Sequence, residues 1–185
     1  MRRESMTGIL IAAVLLFIIL GVALWAIMAA NRFRRLIVKI GEGESGIDVA
    51  LIKRYDTLTK MLEVCRQYAA HEVETFSKTI ALRQGMTMPE RQEASAQMDA
   101  MTARLNVVAE QYPQLRSAEV FCSLQNGIRD TEEHLQAARR LYNANVSAFN
   151  QYLVTWPYSA IGKQYSAYVF FEAEAAKRAD VSMGL

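Results

Sequence analysis

Ile9-Leu-Ile-Ala-Ala-Val-Leu-Leu-Phe-Ile-Ile-Leu-Gly-Val-Ala-Leu-Trp-Ala-Ile-Met-Ala-Ala30 is a run of 22 residues without a charge. At the helical rise this is roughly 33 Å, enough to cross the hydrocarbon core of a bilayer. Trp25 lies near its far end, where interfacial aromatics are common. A cleaved secretory signal would have an apolar core of about 7–15 residues and small residues before its cleavage site. This core is longer, and the pair before Asn31 is Met28 and Ala30, a poor site. The segment reads as a transmembrane helix over residues 9–30, after a short tail of residues 1–8. Small residues at helical spacing (Gly8 and Ala12, Ala26 and Ala30) allow close approach of two spans. Alanine and glycine are common enough in spans to explain them.

Flanking Lys and Arg set orientation, and acids count little. Arg2 and Arg3 precede the span; Arg32, Arg34, Arg35 and Lys39 follow it, then Lys53 and Arg54. The bias puts the N-terminus outside and the body in the cytoplasm. Arg32, Arg34, Arg35 and Lys39 fall at the membrane surface, a cluster short for a dedicated lipid sensor.

The chain has 185 residues, which suits one domain with an appendage. Its residues are 52% apolar, but much of that weight lies in the span. Residues 31–185 carry 19 Lys and Arg against 18 Asp and Glu, so there is no basic footprint for nucleic acid. Two cysteines make no disulfide framework, and two histidines leave few options for metal or acid–base chemistry.

Beyond the span the pattern is helical throughout. Ile47, Leu51, Tyr55, Leu58, Leu62, Cys65, Ala69, Val73, Phe76 and Ile80 recur every three or four residues, which predicts a helix over 47–84. Gly85 ends it, and Thr87 to Glu90 with Pro89 forms a capping-box pattern for a second helix. That helix carries Ala94, Met98, Met101, Leu105 and Val108 and stops at Tyr112–Pro113. Ser117 is the expected cap of a third, marked by Phe121, Leu124, Ile128, Leu135, Ala138, Tyr142, Val146, Phe149 and Leu153 and ended by Trp156–Pro157. The first and third helices are each about 38 residues, near 57 Å, and short connections would make neighbours antiparallel. The aromatic tail from Trp156 is expected to fold back on the bundle, and residues 173–185 to be a polar tail. The fold class is therefore all-α: one N-terminal transmembrane helix, then an antiparallel bundle of three long helices plus a short C-terminal segment, with coiled-coil-like packing. The bundle spans 47–172. Residues 31–46 are a basic, then glycine-rich, juxtamembrane segment. Gly41, Gly43 and Gly46 make it either a hinge or a weakened helix.

Motifs with chemical content are incomplete. Gly41-Glu-Gly-Glu-Ser-Gly46 matches G-x-G-x-x-G, but a dinucleotide site needs a parallel sheet around it. His71-Glu72 begins like a zinc-protease helix and lacks the second histidine. Neither His71 nor His134 has a glutamate three residues before it, so a carboxylate-bridged di-iron bundle is excluded. Cys65 and Cys122 lie on or beside apolar stripes, which suits buried free thiols. Lys53-Arg54-Tyr55-Asp56 and Arg139-Arg140-Leu141-Tyr142-Asn143 put polar groups beside the buried stripes. Paired, they would fix helix register; unpaired, they would line a groove for a partner.

These stretches resemble the LemA family of bacterial membrane-anchored helical proteins. The likeness runs from Lys53, Arg54, Tyr55 and Asp56 through His71 and Glu72 to Glu110, Tyr112 and Pro113. It continues through Arg139, Arg140, Tyr142, Asn143, Asn150, Trp156 and Pro157. Thr57-Leu58-Thr59-Lys60-Met61 departs from the family's usual Leu-Ile-Pro-Asn-Leu, so a helix kink there is in doubt. The Trp-Pro end is reminiscent of the family's magnetosome-associated branch. The resemblance implies a span followed by a long-helix bundle in the bacterial cytoplasmic (inner) membrane, or one derived from it. It implies no catalytic mechanism, cofactor or metal. The expected function is a non-catalytic scaffold that self-associates or docks membrane proteins to organise or shape the bilayer. The alternative is an adaptor or sensor for a membrane protease or signalling partner. The expected partners are the lipid bilayer, a second copy of the chain or other membrane proteins, and no nucleic acid.

Overall fold

Five helices form the chain in a computed structural model that describes residues 2–70, 82 and 85–172, with backbone alone for 2–7 and 9. They are α1 (Arg2–Tyr68), α2 (Met88–Gln111), α3 (Pro113–Arg116), α4 (Glu119–Val154) and α5 (Ser159–Gly162). No strand occurs among the described residues, so the all-α expectation holds. α1 is long and apolar enough to cross a membrane. The chain divides into two compact units, Met1–Ile40 with Asn145–Tyr168, and Gly41–Ala144 with Val169–Leu185.

The first unit is organised around Phe33, which is 1% exposed. Its ring stacks on Tyr165 at 5.1 Å and meets the edge of Phe149 at 5.6 Å. Phe149 in turn packs edge-on against Tyr168 at 5.0 Å. Such aromatic pairs contribute about 0.5–1.5 kcal/mol each beyond the area they bury. Asn150 fixes the returning chain by a two-way amide pair: its Nδ2 donates to the Tyr168 carbonyl at 2.9 Å, and the Tyr168 N–H donates to its Oδ1 at 3.0 Å. The aromatic tail thus folds back, as its composition suggests.

In the second unit the buried face of α1 runs Ile47, Leu51, Arg54, Leu58, Met61 and Cys65. The expected stripe had Tyr55 in place of Arg54. Steps of three from Leu51 and four to Leu58 favour position 54, and Tyr55 is only half-buried. The expected helix start at Ile47 is also corrected, because α1 begins at Arg2 and continues unbroken through Gly41, Gly43 and Gly46. Of the two readings of those glycines, the continuous helix is the one observed. The end expected at residue 84 lies outside the described residues for 71–81 and 83–84, and the described helical run of α1 stops at Tyr68.

Gly85 takes the left-handed conformation (φ +74°) that glycine adopts without strain. The capping box forms as expected: the Thr87 N–H donates to Glu90 Oε2 at 2.7 Å. α2 ends before Tyr112–Pro113. The expected cap at Ser117 is not made. Ser117 has helical dihedrals, and its hydroxyl turns back to donate to the Gln114 carbonyl at 3.2 Å, so it closes the short α3.

Antiparallel packing holds for α1 against α4, since Gly43 meets Tyr142, Gly46 meets Ala138, and Gly127 meets Thr57. α1 and α2 run the same way, because Asp48 pairs with Arg91 and Arg54 with Asp99. A short connection would force antiparallel neighbours. Here 19 residues separate Tyr68 from Met88, enough chain to bring the start of α2 level with residues 44–48.

Candidate functional site

Arg54 is the largest fully buried side chain of the second unit, 2% exposed on the inner face of α1. A buried guanidinium demands a partner and hydrogen bonds for its donors. α2 supplies Asp99, whose Oδ1 accepts from Arg54 Nη2. Arg54 Nε is buried without a hydrogen-bond partner. One turn along α2 toward its start, Arg91 makes a two-pronged pair with Asp48 of α1, Nε to Oδ1 at 2.7 Å and Nη2 to Oδ2 at 2.8 Å. Glu44 adds a weaker contact at 3.9 Å. The Asp48 hydrogen bonds raise the Arg91 pKa above its ordinary value and outweigh the opposing effect of burial.

The unit closes on residues 169–172, held by α4. The Tyr142 hydroxyl donates to the Val169 carbonyl at 2.8 Å. Asn143 makes a two-way amide pair with Phe171, Nδ2 to the carbonyl at 2.9 Å and the Phe171 N–H to Oδ1 at 2.8 Å. Arg139 donates to the Glu172 carbonyl at 3.2 Å and lies over the Phe171 ring at 4.3 Å. Between this segment and the two helices is a cavity of about 580 Å³. Arg54, Asp99, Glu132, Gln136, Arg140 and Asn143 are among its lining residues. Both charge signs and an amide face it, so the site is suited to recognition by hydrogen bonds and charge.

The two motifs singled out in the sequence therefore converge, and they do both things expected of them. Arg54 pairs with Asp99 and fixes helix register, while Arg139, Tyr142 and Asn143 hold a chain segment. Lys53 makes only an exposed ion pair with Asp130 at 3.2 Å, and Asp56 is exposed. Glu110 is exposed, and Tyr112 and Pro113 form the junction of α2 and α3. In the first unit Asn150 holds Tyr168, Trp156 is 83% exposed, and the Trp156–Pro157 peptide bond is cis. Arg32, Arg35 and Lys39 line a second cavity of about 590 Å³, also in the first unit; Arg34 is exposed and does not line it. His71 and Glu72 lie outside the described residues. Cys65 is buried, but Cys122 is exposed because its neighbour Phe121 takes the inward position. Burial pushes the Cys65 thiol up to about 11. Among the described residues no group of three His, Cys, Asp or Glu is placed to hold a metal ion.

Sequence reasoning missed Asp99, Asp48 and Arg91. Arg91 carried a usable signal, since Arg91, Ala94 and Met98 follow helical spacing onto one buried face.

A sequence model described as the LemA family matches residues 43–184. The chain is also similar to Protein LemA of Metamycoplasma hominis, 26% identical over 190 aligned residues that cover 97% of this chain and 87% of the relative.

Proposed function

The chain belongs to the LemA family, and on that premise we propose that it is a non-catalytic, membrane-anchored scaffold that self-associates or docks other membrane proteins. The observation that carries this reading is α1 itself. One helix holds the apolar span and then the inner helix of the bundle, and it leaves Val38, Val49 and Ile52 more than half exposed at helical spacing. Apolar side chains repeated along one face are what a second helix packs against. The Lys and Arg bias supports an N-terminus outside and a cytoplasmic body.

Light scattering on the full-length protein in detergent tests this reading. A defined oligomer is expected, and Val49→Glu with Ile52→Glu should shift it toward monomer. A monomeric wild type that cross-links to nothing in membranes overturns it. Protease added to intact spheroplasts should leave the body uncut; cleavage there reverses the orientation.

The cavity behind Arg54 favours a second reading, an adaptor for a membrane protease or signalling partner, because its buried Nε has an unused donor. Cross-linking in cells to one distinct protein, with no self-linked species, would select it over the scaffold.

A further inference from the structure

We propose that the concave surface lined by Arg32, Arg35, Lys39 and Tyr152 binds the phosphate of an anionic lipid headgroup. The proposal rests on α1 crossing the bilayer and on four observations within the first unit.

The first is register. Arg32, Arg35 and Lys39 are spaced i, i+3 and i+7, so they share one face of α1 in the turns directly after Ala30. A phosphate at the bilayer surface sits at that level.

The second is shape. α4 contributes Ala148 and Tyr152, and the three cations and these two residues bound a cavity of about 590 Å³. Arg32 lies over the Tyr152 ring at 5.0 Å, which orients its planar donor fork. Met28, in the last turn of the apolar run, lines the same cavity, so an apolar wall adjoins the cationic one. A phospholipid needs that arrangement, with its chain beside its phosphate.

The third is charge. Residues 31–40 and 145–168 contain five Lys and Arg and no Asp or Glu. Over the two units the contrast is sharp. The first has seven Lys and Arg against a single Glu, and the second has fourteen against eighteen Asp and Glu. The cations of the cavity therefore have no carboxylate in residues 31–40 or 145–168 to neutralise them, and a phosphate supplies the missing charge.

The fourth is the aromatic belt. Trp25 packs against Tyr158 at 6.0 Å, and Trp156 and Val154 are 83% and 80% exposed. Exposed indole beside apolar side chains suits the headgroup layer and is costly in bulk water.

The test uses full-length protein in a neutral detergent and native mass spectrometry. The probes are phosphatidylglycerol, phosphatidylcholine and inorganic phosphate. Phosphatidylglycerol should be retained at least tenfold over phosphatidylcholine. Each cation near the surface is worth about fivefold, so R32Q/R35Q/K39Q should lose about a hundredfold. R34Q/K163Q removes two cations of the same unit outside the cavity and should stay within twofold of wild type. Circular dichroism should show all variants equally helical, since the altered side chains are exposed. Equal losses in the two variants would mean diffuse charge and overturn the site. Release of the lipid by millimolar inorganic phosphate would assign the cavity to free phosphate and overturn the lipid reading. Lipid retention is read separately from oligomer mass, so the site and the scaffold can fail independently.

Discussion

The Cβ that Gly43 lacks would stand 3.0 Å from the Cα of Tyr142 and 3.1 Å from its Cβ. Backbone atoms give little way, so the glycine is what lets α4 approach α1 at this level. The neighbouring Gly41 has no atom within 4 Å of its missing Cβ. The two glycines, two residues apart in one helix, therefore respond in opposite ways to the same substitution.

Gly43→Ala should destabilise the protein by about 1–3 kcal/mol through overpacking. Gly41→Ala should stabilise it by about 0.5–1 kcal/mol through helix propensity. Thermal melts of the two variants in detergent check this, and equal shifts would contradict the packing difference.

Arg54→Ala should cost about 3–5 kcal/mol, because it strands Asp99 and empties a buried position. Arg54→Met fills that position without a charge, and with Asp99→Leu it should recover most of the loss. A double-mutant cycle by urea unfolding measures the coupling; a coupling near zero would mean the buried pair holds nothing together.

Asn143→Ala should cost about 1–3 kcal/mol, since it leaves the Phe171 N–H without its acceptor. Hydrogen exchange at Phe171 should accelerate well before the helices open. Protection unchanged from wild type would show that Asn143 does not hold the segment.

The two thiols should separate cleanly. Cys122 is exposed, whereas Cys65 is buried with its thiol pushed up to about 11. Native protein at pH 8 should alkylate at Cys122 at least ten times faster than at Cys65. The raised value belongs to the folded state, and the ordinary one is 9.0. Stability from the neutral Cys65 thiol is thus complete below about pH 9 and lost as pH rises toward about 11. Cys65→Ala should flatten that alkaline decline.

The sequence alone determined the features that depend on neighbours along the chain. An uninterrupted apolar run is long enough to cross a membrane wherever the rest of the chain goes. Thr87 and Glu90 meet because three residues of helix bring them together. Proline at 113 and 157 stops a helix by its own ring. The all-α class follows from periods of three and four sustained over the whole body.

What the tertiary structure decided depends on partners far away in the chain. Arg54 and Tyr55 both border the apolar stripe, and local pattern favoured the less polar one. Asp99, 45 residues on, decides for Arg54, because an ion pair makes the buried position tolerable for a guanidinium. The parallel course of α1 and α2 is set by Arg54–Asp99 and by Arg91–Asp48, 43 residues apart. The glycines of 41–46 looked alike by composition, and only the backbone of Tyr142 distinguishes Gly43. The cationic cavity likewise needs α4 beside α1, since three basic residues at helical spacing make a face, and Ala148 and Tyr152 make it concave. A helix period carries information about which side is buried, but no information about what lies against it.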